Sequence, residues 1–229
     1  MIINRLTVAY RKNTVLKDLS VEFKHNEING LVGMNGAGKT TLLRTIFGTL
    51  KANSGSIQLQ EDSATKPIAF LETENFFYPK IKGGEYLEIF AKKNPSFDSV
   101  KWNQLFDLPL NKLIDDYSTG MKKKLALLGV IALDKPIIML DEPFNGVDLE
   151  SNEKIKLVLK RLQEKGKTII VTSHILETLT DICAQITVLF EGKTDYTAFR
   201  GDYHNLKAQL NQRITDKAST IIDNIFNDQ

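Results

Sequence analysis

Hydrophobic and polar positions change rhythm three times along this chain. In the first quarter they alternate. Leu6, Val8 and Tyr10 fall on one face of an extended segment, and Leu19, Val21 and Phe23 on one face of the next. Period-two alternation predicts two strands joined by the polar turn near Arg11 to Thr14. The apolar run Ile28 to Val32 reads as a third strand. It leads into a glycine-rich loop and a helix expected from about Lys39 to Phe47, closed by Gly48. Ser54-Gly55-Ser56 reads as a turn into a strand over Ile57 to Leu59, and Ile68 to Leu71 as another strand. From Gly83 to Leu133 the periodicity is helical, without strands. Beyond it strand and helix alternate: Ile137 to Leu140, a helix from about Asp148 to Glu164, Thr168 to Thr172, a short helix near Leu176, then Ile186 to Phe190. In the tail from Lys193, the spacing of Leu206, Leu210 and Ile214 suggests an amphipathic helix packed on the body.

Strands alternating with helices imply an α/β fold whose mostly parallel sheet is covered on both faces. The opening strands form an N-terminal antiparallel β subdomain, and the helical stretch, about residues 74–134, is an insertion into the core. The 229 residues read as one folded unit with a tail from about residue 193. Composition changes this picture little: 42% hydrophobic and 25% charged is that of an ordinary globular protein. A net charge of +2 names no partner. The basic run Lys122 to Lys124 sits in a helical pattern and reads as a solvated face, so no nucleic-acid partner is expected. The single cysteine, Cys183, rules out an internal disulfide and a thiolate-rich metal site and reads as a small core residue. The N-terminus lacks an apolar leader, and no stretch reaches the ~20 apolar residues that cross a bilayer. The expected setting is the cytosol, with any membrane role supplied by a partner.

The chemistry begins at Gly33-Met34-Asn35-Gly36-Ala37-Gly38-Lys39-Thr40, which satisfies G-x-x-x-x-G-K-[ST] with a strand before it and a helix after it. Inward-pointing backbone N–H groups and the helix N-terminus hold phosphate oxygens, and the core is therefore that of a P-loop nucleoside triphosphatase. Asn35, Gly36, Ala37, Gly38, Lys39, Thr40 and Thr41 form the expected nucleotide-binding set. Lys39 should reach the β- and γ-phosphates and the Thr40 hydroxyl should ligand Mg²⁺. The strand Ile137 to Leu140 ends in Asp141-Glu142. Alone, such a pair is a helix cap or turn. About a hundred residues after a phosphate loop, Asp141 suits the Mg²⁺ shell and Glu142 suits a base that polarises the attacking water. His174 closes another core strand, where it can equally be a packed residue or a contact to the γ-phosphate.

With these residues in place, the chain resembles the ATP-binding cassette (ABC) family over nearly its whole length. The motifs run in the family's order: Tyr10, the phosphate loop to Thr41, the signature Tyr117-Ser118-Thr119-Gly120-Met121, Asp141-Glu142-Pro143, Asp148 and His174. The resemblance implies that Tyr10 stacks on adenine. It implies that Ser118 and Gly120 open a helix facing the γ-phosphate of ATP held by a second subunit, that Asp148 lies at the subunit interface, and that His174 contacts the γ-phosphate. Without the family, Ser118 is simply the N-cap of the helix to Leu133. ATP and Mg²⁺ are the implied cofactors. The implied partners are an integral-membrane transporter subunit and a second cassette, a homodimer ahead of a heterodimer. The place implied is the inner face of the cell membrane, reached through the membrane partner.

Two departures stand out. The signature is usually Leu-Ser-Gly-Gly-Gln; the Tyr-Ser-x-Gly-Met form here is similar to that of bacterial export and drug-resistance cassettes. Where the family has a glutamine after the strand Ile68 to Leu71, this chain has Thr73 between Glu72 and Glu74. A threonine hydroxyl is shorter and is not expected to span the same gap, so the loop should be disengaged unless its backbone moves inward, a water bridges the gap, or Glu72 or Glu74 swings in. The leading reading is the ATP-hydrolysing subunit of an exporter. The alternatives are a soluble cassette ATPase, which lacks support because the chain has neither a second cassette nor a long coiled coil, and a regulatory cassette with weak hydrolysis, which Lys39, Glu142 and His174 argue against.

Overall fold

The computed structural model describes residues 1–59 and 67–227. The chain runs β1 (Ile2–Tyr10), β2 (Asn13–Glu22), β3 (Ile28–Val32), α1 (Lys39–Phe47), β4 (Ser54–Gln58), β5 (Ile68–Leu71), α2 (Gly83–Ala91), α3 (Ser99–Asn103), α4 (Thr119–Ala132), β6 (Ile137–Leu140), α5 (Leu149–Glu164), β7 (Thr168–Ser173), α6 (Leu176–Thr180), β8 (Gln185–Phe190), β9 (Lys193–Phe199) and α7 (Tyr203–Asn227). A three-stranded antiparallel sheet has the order β2-β1-β4, and a six-stranded sheet the order β5-β6-β7-β3-β8-β9, in which only β9 runs antiparallel to its neighbour.

The central strands are buried on both faces, as a parallel sheet between two layers requires. Their side chains divide by parity between two cores. Ile138, Leu140, Ile169 and Val171 point into a core shared with α4 and α5, while Ile137, Met139 and Ile170 point into one shared with α1 and the antiparallel sheet. On α5 the buried residues Ser151, Ile155, Leu159 and Leu162 fall at helical spacing, so one stripe covers the sheet and the rest is solvated. On α7, Leu206 is buried and Leu210 packs against the same core; the side chain of Ile214 lies outside the described residues.

Two sequence expectations change. Ser54 and Gly55 are not a turn but the first residues of β4, paired antiparallel with β1 (Thr7↔Ser54, Ile3↔Ile57). Gly55 reads as a breaker because the pairing is irregular there. Its φ is +94°, and a Cβ would stand 2.5 Å from the Arg5 carbonyl oxygen, an approach only glycine permits. The tail from Lys193 is not helix alone: β9 pairs with β8 before α7 begins. As an edge strand, β9 has only one residue fully buried and carries no clear apolar period. Cys183 is fully buried, and burial pushes its thiol well above the ordinary range.

What matters for function is where strands stop. In register, Leu71 of β5 lies opposite Leu140 of β6, Leu140 opposite Val171 of β7, and Val32 of β3 opposite Ser173. The segments after all four therefore emerge along one edge: Glu72-Thr73, Asp141-Glu142, His174 and the phosphate loop.

Candidate functional site

Along that edge lies a cavity of about 590 Å³, lined by the loop residues Asn35 to Thr41 together with Thr73, Glu142, Asn145, His174 and, from β2, Asn13 and Val15. Helix α1 opens onto it. Its N-cap, Gly38, provides no side-chain cap and its first turn holds no acidic residue, so the positive helix end faces the cavity unneutralised. This is an anion site made by backbone. Lys39, nearly buried, folds back over the loop. Its ammonium donates to the Gly33 carbonyl (2.7 Å) and sits 3.6 Å from Glu142 Oε1.

Beneath the cavity Asp141 is completely buried, and three hydroxyls converge on its carboxylate. Thr40 Oγ1 donates to Oδ2 at 2.6 Å, Thr73 Oγ1 to Oδ2 at 2.7 Å and Thr172 Oγ1 to Oδ1 at 2.7 Å. A buried carboxylate needs such donors. The donor set, carboxylate and hydroxyl oxygens only, fits a hard divalent cation such as Mg²⁺. Among the described residues no group of three or more His, Cys, Asp or Glu side chains forms an all-protein metal cage.

Glu142 adopts the left-handed conformation, φ +52°, unusual for a residue with a Cβ. Its N–H donates to Thr172 Oγ1 (2.9 Å), and its carboxylate Oε2 lies 2.8 Å from His174 Nδ1 and accepts from the His174 N–H at 3.3 Å. A carboxylate only accepts, so Nδ1 is the donor in this pair. The sharp turn after β6 thus lifts Glu142 to the cavity wall and leaves Asp141 below it.

Of the residues expected from sequence, Lys39, Thr40, Asp141, Glu142 and His174 are brought together, with Asn35, Gly36, Ala37, Gly38 and Thr41 around them. Tyr10, Ser118 and Gly120 are not among the cavity's lining residues. Tyr10 stands half-exposed at the end of β1, paired with Asn13 across the hairpin. Ser118 caps α4, accepting from the Met121 N–H at 3.2 Å. Asp148 caps α5 in the same way, accepting from the Ser151 N–H at 2.8 Å.

Two expectations need correction. Thr73 does reach the carboxylate expected to hold the metal, because β5 and β6 end side by side and the residue two past Leu71 meets the residue one past Leu140. Nor does Glu72 swing inward; it pairs with Arg44 at 3.2 Å. The run Lys122 to Lys124 is not a solvated face throughout. Lys123 is 6% exposed, and its ammonium donates to the carbonyls of Glu142 (2.8 Å) and Asn145 (3.0 Å). Its signal was available, since Leu127 and Val130 at i+4 and i+7 continue an apolar stripe through it. Thr172 and Asn145 were also missed; a threonine inside a strand run and an asparagine in a turn carry no sign of their partners.

Fold and site together define a nucleotide-binding protein of the P-loop class. A sequence profile of the family described as ABC transporter matches residues 16–145. The ABC transporter ATP-binding protein YtrB of Bacillus subtilis (strain 168) is 34% identical over 197 residues, 82% of this chain and 68% of that protein. From the same organism, the SkfA peptide export ATP-binding protein SkfE is 28% identical over 206 residues, 84% of this chain and 86% of that one. A solved dimeric ATP-binding cassette, MJ0796, bound to ADP and Pi, superposes with a TM-score of 0.76 at 22% identity, over 87% of this chain and 98% of its own. The chain belongs to the ABC transporter family, among its ATP-binding subunits.

Proposed function

We propose that this chain hydrolyses ATP for a bacterial exporter, as one of two identical cassettes that close over two ATP molecules and drive a separate integral-membrane subunit. One ATPase domain spans residues 1–229, with a helical subdomain at about 74–134. Among the described residues no helix is long and apolar enough to cross a membrane, and the membrane-spanning part is assigned to a partner subunit. The loop after Thr73 supports that division, since Phe76 (77% exposed) and Tyr78 (64%) stand out from it as an apolar face for docking. The chain's place would then be the cytoplasmic face of the membrane, held by that partner.

The observation that carries hydrolysis is Glu142, fixed 2.8 Å from His174 Nδ1 and 3.6 Å from Lys39 Nζ on the wall of the phosphate-loop cavity. The loop's N–H groups and the end of α1 bind the phosphates, and Lys39 exchanges its loop carbonyl contact for β- and γ-phosphate oxygens. Thr40 and Asp141 would hold Mg²⁺, which when bound neutralises charge developing on the phosphates. Glu142 orients a water and accepts its proton. His174 holds the Glu142 carboxylate and contacts the γ-phosphate. Tyr10 stacks on adenine. Ser118 and Gly120 present the start of α4 to ATP bound by the second cassette.

Replacing Glu142 by Gln keeps size and hydrogen bonding but removes the base. ATP binding should persist while turnover falls by a factor on the order of 10² or more. The variant should also elute from size exclusion as a dimer only when ATP is present. Turnover equal to wild type would remove Glu142 from this role.

A further inference from the structure

The first turn of α4 lies directly on the loop that follows β6. A Cβ at Gly120 would stand 2.9 Å from the Gly146 carbonyl oxygen, so backbone meets backbone there. One turn later the Lys123 ammonium, 6% exposed, donates to the carbonyls of Glu142 and Asn145 at 2.8 and 3.0 Å. Glu142 is thereby held on both sides of its Cα, its N–H by Thr172 Oγ1 and its C=O by Lys123. A non-glycine residue at φ +52° persists only where its surroundings over-determine it, and these two bonds do so. Burying an ammonium is costly, and burial holds this one below the ordinary lysine range although the charges of Glu142 and Asp141 act in the opposite sense. A neutral donor would satisfy the two carbonyls at less cost.

The geometry points to Lys123 as a positioning residue for hydrolysis. By clamping the Glu142 and Asn145 carbonyls it fixes the backbone that aims the Glu142 carboxylate, and it ties that aim to the helix beginning at Ser118. This rests on the reading of Glu142 as the residue that orients water. A shift of the loop by about 1 Å is enough to cost up to ~10²-fold in rate without touching the phosphate contacts. Movement of α4 against the loop is therefore transmitted to the carboxylate through this side chain as well as through the backbone contact at Gly120.

The test measures kcat for ATP and, separately, the ATP dissociation constant, on the full chain as wild type, Lys123→Met, Lys123→Arg, Lys123→Gln and Glu142→Gln, with folding checked by circular dichroism. Lys123→Met should lower kcat by about ten-fold or more while the dissociation constant stays at the wild-type value. Lys123→Arg, which keeps charge and can serve two carbonyls, should recover part of the loss. Wild-type kcat in Lys123→Met overturns the proposal. So does a parallel loss of kcat and affinity that arginine does not restore, since that is what a purely structural lysine gives. If Lys123→Met does not fold, Lys123→Gln decides, because its amide stops one bond short of the ammonium position and falls out of hydrogen-bond reach of both carbonyls: a lowered kcat at unchanged affinity supports the clamp, and wild-type kcat refutes it. Full turnover in Glu142→Gln undoes the underlying reading. An inactive Glu142→Gln beside a fully active Lys123→Met undoes only the role of Lys123.

Discussion

Thr172 offers the sharpest test of how the site is held. Its hydroxyl is completely buried and used twice, donating to Asp141 Oδ1 at 2.7 Å and accepting from the Glu142 N–H at 2.9 Å. Valine has the same shape without the hydroxyl, so Thr172→Val removes the two bonds and little else. A bond to a charged group contributes about 1.5–3 kcal/mol and an orphaned buried N–H costs about 1–3. Asp141 keeps the Thr40 and Thr73 donors, which favours the lower end, and a loss of about 3 kcal/mol is expected. At about 2–4 °C per kcal/mol for a chain near this size, the midpoint should fall by about 6–12 °C. Thr73→Val is the internal control. It removes one bond from a half-buried residue, for a loss of about 1 kcal/mol and a fall of about 2–4 °C. Thermal denaturation followed by circular dichroism at pH 7 compares the three proteins. Turnover should fall as well in Thr172→Val, because the backbone of Glu142 is released on its N–H side. The reasoning fails if Thr172→Val melts no lower than Thr73→Val.

Two further outcomes follow from the same geometry. Lys39→Ala removes the side-chain cation folded over the phosphate loop, a charge-assisted contact worth about 1.5–3 kcal/mol, so ATP affinity by titration calorimetry should drop about ten-fold or more in a protein that still folds. Asp148 caps α5, and the Ser151 N–H it accepts, ahead of its bond to the Ser151 hydroxyl and its pairing with Lys124, holds its carboxyl well below the usual carboxylate range. A depressed folded-state pKa gives stability that is present above the unfolded value and lost as pH falls through the folded one. Asp148→Ala should therefore be less stable than wild type in urea at pH 7, and the gap should shrink once pH drops below about 4; an equal gap at both ends contradicts the cap.

The sequence by itself determined the chemistry that depends on short range. The phosphate loop needs glycines, a lysine and a threonine at fixed spacing between a strand and a helix, and that requirement is local, so Gly33 to Thr40 were legible at once. The central strands Ile28–Val32 and Ile137–Leu140 were equally plain, since parallel strands buried on both faces read as near-continuous apolar runs, and the edge strand Ile68–Leu71 shares that apolar character. Two of the edge strands were not. No residue of β4 and only one of β9 is fully buried, so turn residues and polar side chains hid the pairing until neighbouring strands supplied it. Distances between motifs far apart in sequence were decided only by strand register. Nothing in Thr73 or Thr172 announces a bond to Asp141, and the short side chain of Thr73 by itself pointed to a disengaged loop. It reaches because Leu71 and Leu140 pair, a fact of the sheet and not of the residue. Lys123 shows the same limit from the other side. In a row of three lysines its identity says solvent and its helical spacing to Leu127 and Val130 says burial, but only the packing of α4 onto the loop after β6 makes it a clamp on Glu142. Local steric and propensity rules act over a few residues and can be read along the chain, whereas hydrogen bonds across a sheet exist only once the strands lie side by side.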